Sequence, residues 1–358
     1  TTGLYLYYQD NPNKQTSHFG ENADMLGSPD KNFSLINTNK SKSHGAALYG
    51  QLSYPISKKL QIIAGARYDY EKKKYSVMSE YQPDNSDPFT ILPDTSASVD
   101  FSAFSPKLGL AWEIQKNSQF YFNYSRGFRT GGLTQLSTDP TGQPPLYPYK
   151  PEHSHSFEAG LKNSFLQNHF RLNLALFYAK VNDAQVPTLI LPDAITVTRN
   201  AGKLESRGAE LELGATPLKG LELQYNFGYT HAEYTELKIP DNGQQADRSG
   251  NRQVFTPDIT SQLAVQFSQP LMEDPQLNLV LRGEWAYLGK QYFDLANQIS
   301  QPGYSMLNGR VGLSMKQWEL MFWIRNIGDK KYIAYAYDFG AVHLGNPRTL
   351  GITLRWQY

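Results

Sequence analysis

The chain has 358 residues, and its 34 Lys and Arg against 33 Asp and Glu leave a formal net charge of +1, which excludes a polybasic nucleic-acid binder or an acidic tail. Cysteine is absent, which excludes disulfide scaffolds, thiolate zinc sites and thiol catalysis. A mean hydropathy of −0.53 excludes a helical membrane protein, whereas 13% aromatic residues with 28 Gly and 21 Pro point to a turn-rich β protein.

Taken from the N-terminus, the chain alternates apolar and polar residues with a period of two. Leu60, Ile62, Ala64, Ala66, Tyr68 and Tyr70 share one face; Gln61, Gly65, Arg67, Asp69 and Glu71 share the other. The pattern returns at Phe170, Leu172, Leu174, Leu176 and Tyr178, and again at Leu221, Leu223, Tyr225, Phe227 and Tyr229. Further copies run from Leu277 to Tyr287 and through Trp318, Leu320, Phe322 and Ile324. No window of comparable length has helical spacing, so the chain reads as all-β. Strand centres fall near Tyr5, Leu48, Ala64, Leu110, Phe122, Glu158 and Leu174, then near Leu211, Tyr225, Val265, Leu281, Val311, Phe322 and Leu354.

These about 14 strands are expected to run about 10–14 residues, longer than the five or so usual in soluble sandwiches. At ~3.3 Å per residue and a tilt near 45°, that length covers the apolar thickness of an outer membrane. Aromatic residues end many of the apolar rows, among them Tyr68, Tyr70, Tyr178, Tyr229, Trp285, Tyr287 and Trp356. Such rings favour the boundary between hydrocarbon and head groups. Short connections (Pro55–Lys59, Gln115–Ser118, Ser164–Asn168, Thr216–Gly220, Ser268–Pro275, Met315–Gln317) alternate with long polar ones. The long ones are Asp10–Ser43, Lys72–Ser98, Arg126–Glu152, Asn182–Ser206, His231–Gln253, Gly289–Gly303 and Gly328–Asn346. An antiparallel meander with turns on one rim and loops on the other produces this order, as in a transmembrane β-barrel. No domain boundary interrupts 1–358, which is expected to be one barrel segment.

Several motifs, in order, resemble the C-terminal barrel of TonB-dependent outer-membrane receptors. Tyr124-Ser125-Arg126-Gly127-Phe128-Arg129 is similar to the family's Y-S-x-G-F-R segment. Lys150-Pro151-Glu152 with Phe157-Glu158-Ala159-Gly160-Leu161-Lys162 is similar to its K-P-E … Y-E-x-G-x-K strand. Asn200-Ala201-Gly202 with Arg207-Gly208-Ala209-Glu210-Leu211-Glu212 resembles N-x-G … R-G-x-E-x-E, and Arg325-Asn326-Ile327-Gly328-Asp329-Lys330-Lys331-Tyr332 resembles x-N-L-F-D-K-x-Y. The last strand ends Leu354, Trp356, Tyr358 on its apolar face, resembling the terminal strand used in barrel assembly; an ordinary amphipathic strand ending in Tyr is the alternative. The resemblance implies a barrel of about 22 strands around an N-terminal plug, energised through the TonB complex. No segment here resembles the plug. The chain also starts at Thr1 without Met or a signal peptide, so it is expected to be a processed or N-terminally incomplete chain. Its first and last strands, Thr1–Tyr8 and Leu350–Tyr358, would then be unpaired edges unless another segment pairs them or the chain closes on itself.

Candidate chemistry is sparse. There is no G-x-S-x-G elbow, P-loop or H-E-x-x-H, so no catalytic residue and no cofactor is expected. His153 and His155 share a strand face but lack a third ligand in phase, so no metal site is expected. His18, His44, His231 and His343 fall in the expected loops. Charged residues of the polar face, such as Arg67, Glu158, Glu210, Glu212, Arg282, Arg310, Arg325 and Arg355, are expected to line the bore. Where haem-type members of the family carry F-R-A-P and N-P-D-L, this chain reads Phe128-Arg129-Thr130-Gly131 and Tyr149-Lys150-Pro151-Glu152, which implies the siderophore branch. Aromatic and basic loop residues suit an anionic ferric chelate: Arg129, Tyr147 and Tyr149 (in Gln143–Tyr149), Arg199, Tyr292, Tyr335, Tyr337 and His343. Girdle or loop packing is the alternative for each. The resulting expectation is a receptor importing a ferric siderophore, with outer-membrane lipid and the TonB complex as partners and no nucleic acid. A passive diffusion channel and a soluble β-rich adhesin or carbohydrate-binding protein are the rival readings.

Overall fold

The computed structural model describes residues 1–358 except 27, 29, 136–145, 191–194, 242–243, 274–275, 338–340 and 358. Its strands are β1 (Thr2–Phe19), β2 (Phe33–Pro55), β3 (Leu60–Pro83), β4 (Phe89–Gln115), β5 (Ser118–Arg129), β6 (Gly132–Gln135) and β7 (Leu146–Tyr149). They continue with β8 (Glu152–Phe165), β9 (Phe170–Ile190), β10 (Ile195–Leu218), β11 (Leu221–Asp241), β12 (Gln244–Asp247), β13 (Ile259–Met272) and β14 (Leu277–Leu288). The last are β15 (Gln291–Tyr292), β16 (Ser300–Gln301), β17 (Tyr304–Met315), β18 (Trp318–Arg325), β19 (Ile333–Ala336), β20 (Val342–Leu344) and β21 (Thr349–Trp356). Apart from two single-turn 3₁₀ segments, strands are the only regular structure among the described residues, and none of these is a helix able to cross a membrane.

Fourteen of these strands form one antiparallel meander, in the order β1-β2-β3-β4-β5-β8-β9-β10-β11-β13-β14-β17-β18-β21. Every step joins neighbours in the chain, with small hairpins β6–β7, β15–β16 and β19–β20 set into the long connections. Among the described residues β1 pairs only with β2, and β21 only with β18, so the sheet keeps two open edges and does not close on itself.

Register settles which side chains share a face. Leu4, Leu48, Tyr68 and Phe104 stand side by side across β1–β4; so do Phe122, Ala159, Leu176 and Ala209 across β5, β8, β9 and β10. Leu263, Trp285 and Leu307 continue the same surface across β13, β14 and β17. Leucines there are open rather than cored: Leu4 is 66% exposed, Leu48 67% and Leu176 55%. None of Leu172, Leu174, Leu176, Leu221, Leu223, Leu279 and Leu281 is buried. A compact soluble protein would bury such a face, whereas hydrocarbon solvates it. The opposite face carries Arg67, Asp69, Glu158, Arg171, Glu210, Glu212, Arg282, Glu284 and Arg310, where Arg67 pairs with Asp69 and Arg282 with Glu284.

The strands are longer than the sequence expectation. β2, β3 and β4 run 23, 24 and 27 residues, and β9, β10 and β11 run 21, 24 and 21. Much of the expected loops Asp10–Ser43, Lys72–Ser98, Asn182–Ser206 and His231–Gln253 is therefore strand. His18, His44, His231 and His343 correspondingly lie on β1, β2, β11 and β20, not in loops. Beyond the apolar band both faces meet water, so the period-two hydrophobic signal fades while the backbone ladder continues. The buried apolar clusters lie in that projecting part: Phe19, Ala23, Phe33 and Leu35 form one, and Val77, Leu92 and Leu146 another.

Candidate functional site

The mouth of the sheet, on the long-loop side, collects the residues singled out for ligand contact. Hairpin β6–β7 anchors through Leu146, which is buried with Val77 and Leu92 on the inner side of β3 and β4. A buried polar chain extends this anchor: Gln135 Nε2 donates to Ser79 Oγ at 3.3 Å, and Ser79 Oγ donates to Asn37 Oδ1 at 2.7 Å. At its other flank, the Thr198 backbone N–H of β10 donates to Thr134 Oγ1 at 3.1 Å. The hairpin thus lies across the inner side from β3 to β10, over the bore.

Arg129 and Gln185 hold the base of that hairpin. Arg129 Nε donates to Gln185 Oε1 at 2.8 Å and its Nη2 to the Gln185 carbonyl at 2.9 Å, with Glu152 3.4 Å away. Gln185 Nε2 in turn donates to the Thr130 and Lys150 carbonyls, both at 3.0 Å, and its backbone N–H donates to Glu152 at 2.7 Å. Asn200 adds a second clasp: the Lys150 N–H donates to Oδ1 at 2.6 Å, and Nδ2 donates to the carbonyls of Lys150 and Asp183 at 2.9 and 2.8 Å. Tyr149 is half-buried beside this clasp; burial pushes its phenol up, and Arg129 pulls it partly back. Tyr147 is 51% exposed on β7, and Arg199 sits on β10 opposite Val186 of β9. Gln143, Pro144 and Pro145 lie outside the described residues.

A second group forms farther along the rim. Tyr335 stacks on Phe255 with ring centroids 5.1 Å apart, meets Tyr337 edge-on at 4.8 Å, and faces His343 at 6.3 Å. Phe255 also meets Phe293 at 5.5 Å, while its backbone N–H donates to the Tyr292 carbonyl at 2.8 Å. Lys290 Nζ lies 4.5 Å from the centre of the Tyr292 ring. Tyr335, Tyr337 and His343 thus assemble with Phe255 and Phe293 as one aromatic wall, and Tyr292 is tied to it through its backbone carbonyl. Sequence reasoning missed Phe255 because its expected loop ended at Gln253. No contact joins this wall to Arg129, Tyr147, Tyr149 and Arg199 among the described residues.

The bore below carries charges of both signs. On β8 and β10, Glu158, Glu210 and Glu212 point inward; Tyr121 Oη donates to Glu158 at 2.7 Å and Asn173 to Glu212 at 3.0 Å. On β14–β21, Arg282, Arg310, Arg325 and Arg355 line a cavity of about 310 Å³ with Glu284 and Glu319. Arg282 is paired with Glu284 at 2.5 Å, and Arg325 lies 5.0 Å over the Trp323 ring. His153 and His155 lie on β8 and face outward; Tyr124 Oη and His155 Nδ1 are 3.0 Å apart. No group of three or more metal-ligating side chains occurs among the described residues. Leu354 and Trp356 face outward on β21, 69% and 61% exposed, and Tyr358 lies outside the described residues.

An antiparallel wall with an oily exterior, a charged bore and looped mouth defines a membrane β-barrel segment. The family match makes it specific: the model for "TonB dependent receptor-like, beta-barrel" covers residues 1–327, and the chain belongs to that family, one of outer-membrane transport receptors rather than enzymes. The chain is 24% identical over 271 residues to the ferric-pyoverdine 358 receptor of Pseudomonas putida, covering 73% of this chain and 30% of that protein. It is 24% identical over 333 residues to the pesticin receptor of Yersinia pestis, covering 90% and 45%. Its fold superposes on the ferric yersiniabactin uptake receptor FyuA from Yersinia pestis with a TM-score of 0.78 at 20% identity, over 100% of this chain and 51% of that one. The chain therefore spans less than half the length of these two curated relatives. The quoted motifs now have physical roles. Asn326 donates from Nδ2 to the Lys330 and Asn346 carbonyls at 3.0 and 3.1 Å, tying together both ends of the last long connection. Gly202 is needed because a Cβ there would run into the Glu236 carbonyl oxygen.

Proposed function

We propose that residues 1–358 act as one domain, the wall and outer loops of an outer-membrane receptor that imports a ferric siderophore or a similar iron chelate. Outer-membrane lipid surrounds the apolar face. The rings of Tyr292, Tyr335, Tyr337 and His343 capture the anionic chelate through its aromatic groups from one side of the mouth. Tyr147, Tyr149, Arg129 and Arg199 meet it from the other. Stacking holds the ligand and guanidinium charge compensates its carboxylate or catecholate oxygens. Energy reaches the bore from the TonB complex through a plug carried by another part of the receptor, and Leu354, Trp356 and Tyr358 serve assembly of the barrel.

The observation that carries this reading is the inturned β6–β7 hairpin over a charged bore, in a chain similar to a ferric-pyoverdine receptor and a ferric yersiniabactin uptake receptor. A passive pore keeps its bore open to solutes, whereas a mouth crossed by a clasped hairpin favours selective capture. The test is iron-limited growth of a deletion strain on a panel of defined ferric chelates, with complementation by wild type and by Tyr335→Ala/His343→Ala. The reading expects growth on one chelate class to be lost on deletion and restored only by wild type. Unchanged growth on every chelate, with steady ion conductance of the purified receptor in planar bilayers, would favour the diffusion channel. Stable folding in buffer without detergent would favour the adhesin.

A further inference from the structure

The outward face above the tyrosine row carries a charge pattern used by neither wall nor mouth. On β3 the outward residues run Leu60, Ile62, Ala64, Ala66, Tyr68, Tyr70 and then Lys72 and Lys74, the last two exposed. From Leu60 to Tyr70 the strand rises roughly 23 Å along the membrane normal, at ~3.3 Å per residue and a 45° tilt, close to the thickness of an outer-membrane apolar band. Lys72 then stands about 5 Å above the tyrosines and Lys74 about 9 Å, the depth of the lipid head groups.

Register gathers more cations at this level. Lys72 sits opposite His44 and Lys74 opposite Lys42, while Lys40 lies one outward step farther along β2. On β1, Asp10 stands opposite Lys42, and Lys14 follows two outward positions later. Asp10 is shared, 3.4 Å from Lys42 and 3.7 Å from Lys40. Asp100 lies opposite Lys72 on β4, but neither Lys72 nor Lys74 forms an ion pair among the described residues. Five lysines on β1–β3 therefore face two carboxylates, Asp10 on β1 and Asp100 on β4, and the directly opposed Lys42 and Lys74 repel each other. Elsewhere on the rim the arrangement differs: Lys180, one outward step above Tyr178, is matched by Glu205 at 3.0 Å.

We propose that the outward faces of β1–β3 above the tyrosine row dock the phosphate-bearing head group of a membrane lipid. A phosphate set between Lys42 and Lys74 turns their repulsion into two charge-assisted contacts, and Lys72, Lys40 and Lys14 take further anionic oxygens. The acyl chains of the same lipid run down the apolar rows that begin at Tyr8 and Tyr70, so head and tails fit one continuous strip of wall. The inference rests on the membrane placement given under the proposed function, and not on the identity of the cargo.

The test uses the full receptor purified in dodecyl maltoside, with micelles doped with bisphosphorylated lipid A, its dephosphorylated form, or inorganic phosphate alone. Native mass spectrometry and titration would compare wild type, Lys42→Gln/Lys74→Gln, the charge-retaining Lys42→Arg/Lys74→Arg, and inward-facing Lys107→Gln. Expected are tight binding of the phosphorylated lipid, a tenfold or larger loss in the Gln pair, retention in the Arg pair and in Lys107→Gln, and no saturable binding of inorganic phosphate. Equal affinity of the Gln pair and wild type, or equal binding of the dephosphorylated lipid, would overturn the proposal. Saturable binding of inorganic phosphate would assign the cluster to a free anion and also overturn it. Ferric-chelate uptake by the Gln pair separates the two readings: lipid affinity lost with uptake retained supports docking, whereas a wild type that binds no lipid and stays soluble without detergent removes the membrane placement itself.

Discussion

Arginine placed on the outward face at mid-wall should cost far more than arginine one residue away on the inward face. Leu174 is the natural site: it is outward on β9, flanked by Leu161 of β8 and Leu211 of β10, and 37% exposed. It lies four residues from both Phe170 and Tyr178, roughly 9 Å from either end of its apolar row, so its side chain sits near the bilayer centre. Leu174→Arg should destabilise the folded barrel by about 2–4 kcal/mol, a roughly 30- to 700-fold change in the folded-to-unfolded ratio. Asn173 points the other way, 3.0 Å from Glu212, and an arginine there meets a carboxylate and water. Asn173→Arg should shift stability by less than about 1 kcal/mol. Equilibrium unfolding by guanidinium in lipid vesicles measures both. Similar costs for the two variants would refute the assignment of oily exterior and wet bore.

Gln185→Ala removes the hub that holds Arg129, Thr130 and Lys150, each hydrogen bond worth about 1 kcal/mol net, so amide exchange at 130–135 and 146–150 should quicken while the strands below stay protected. Gly202→Val drives a side chain into the Glu236 carbonyl, and should lower unfolding stability by about 1–3 kcal/mol, read as an earlier denaturation midpoint. Tyr335→Ala breaks the stack on Phe255 and should weaken ferric-chelate binding by about 1 kcal/mol or more in calorimetric titration, with the overall fold retained by circular dichroism. The Ser249 hydroxyl and N–H hold the Asp247 carboxyl below its usual range, so that contact is present above the ordinary aspartate pKa and fades as pH falls through the lowered value. Ser249→Ala should raise the Asp247 titration midpoint in a carboxylate NMR titration.

The wall was legible in the sequence because lipid and water impose opposite demands on successive residues, and Leu172, Asn173, Leu174 and Ala175 record that alternation directly. Fourteen expected strands correspond to the fourteen of the meander. Where the chain leaves the bilayer, that demand ends. Lys72 to Ser98 looks like a loop in composition yet continues as β3 and β4, since a ladder between two hydrated faces needs no apolar period. Lys72 and Lys74 escaped notice for the same reason, having been assigned to a loop with no face. The mouth was legible in part. Its aromatic and basic residues were found by type, but their division into two groups depends on hydrogen bonds at Gln185 and ring contacts at Phe255, which join positions far apart in sequence. Asn200 and Asn326 stood out as motif letters, and only their bonded carbonyls show that they are clasps at loop bases.

The chain has no cysteine, so single cysteines can be introduced one at a time without background. A scan from Leu172 to Tyr178 and from Leu277 to Tyr287, spin-labelled in lipid bilayers, would record the accessibility of each position to oxygen dissolved in hydrocarbon and to a water-soluble nickel complex. A strict alternation is predicted, with Leu172, Leu174, Leu176, Leu279 and Leu281 favouring oxygen and Asn173, Ala175, Val280 and Arg282 favouring nickel. Uniform nickel access at both sets, or low access to both reagents at the leucines, would contradict the account.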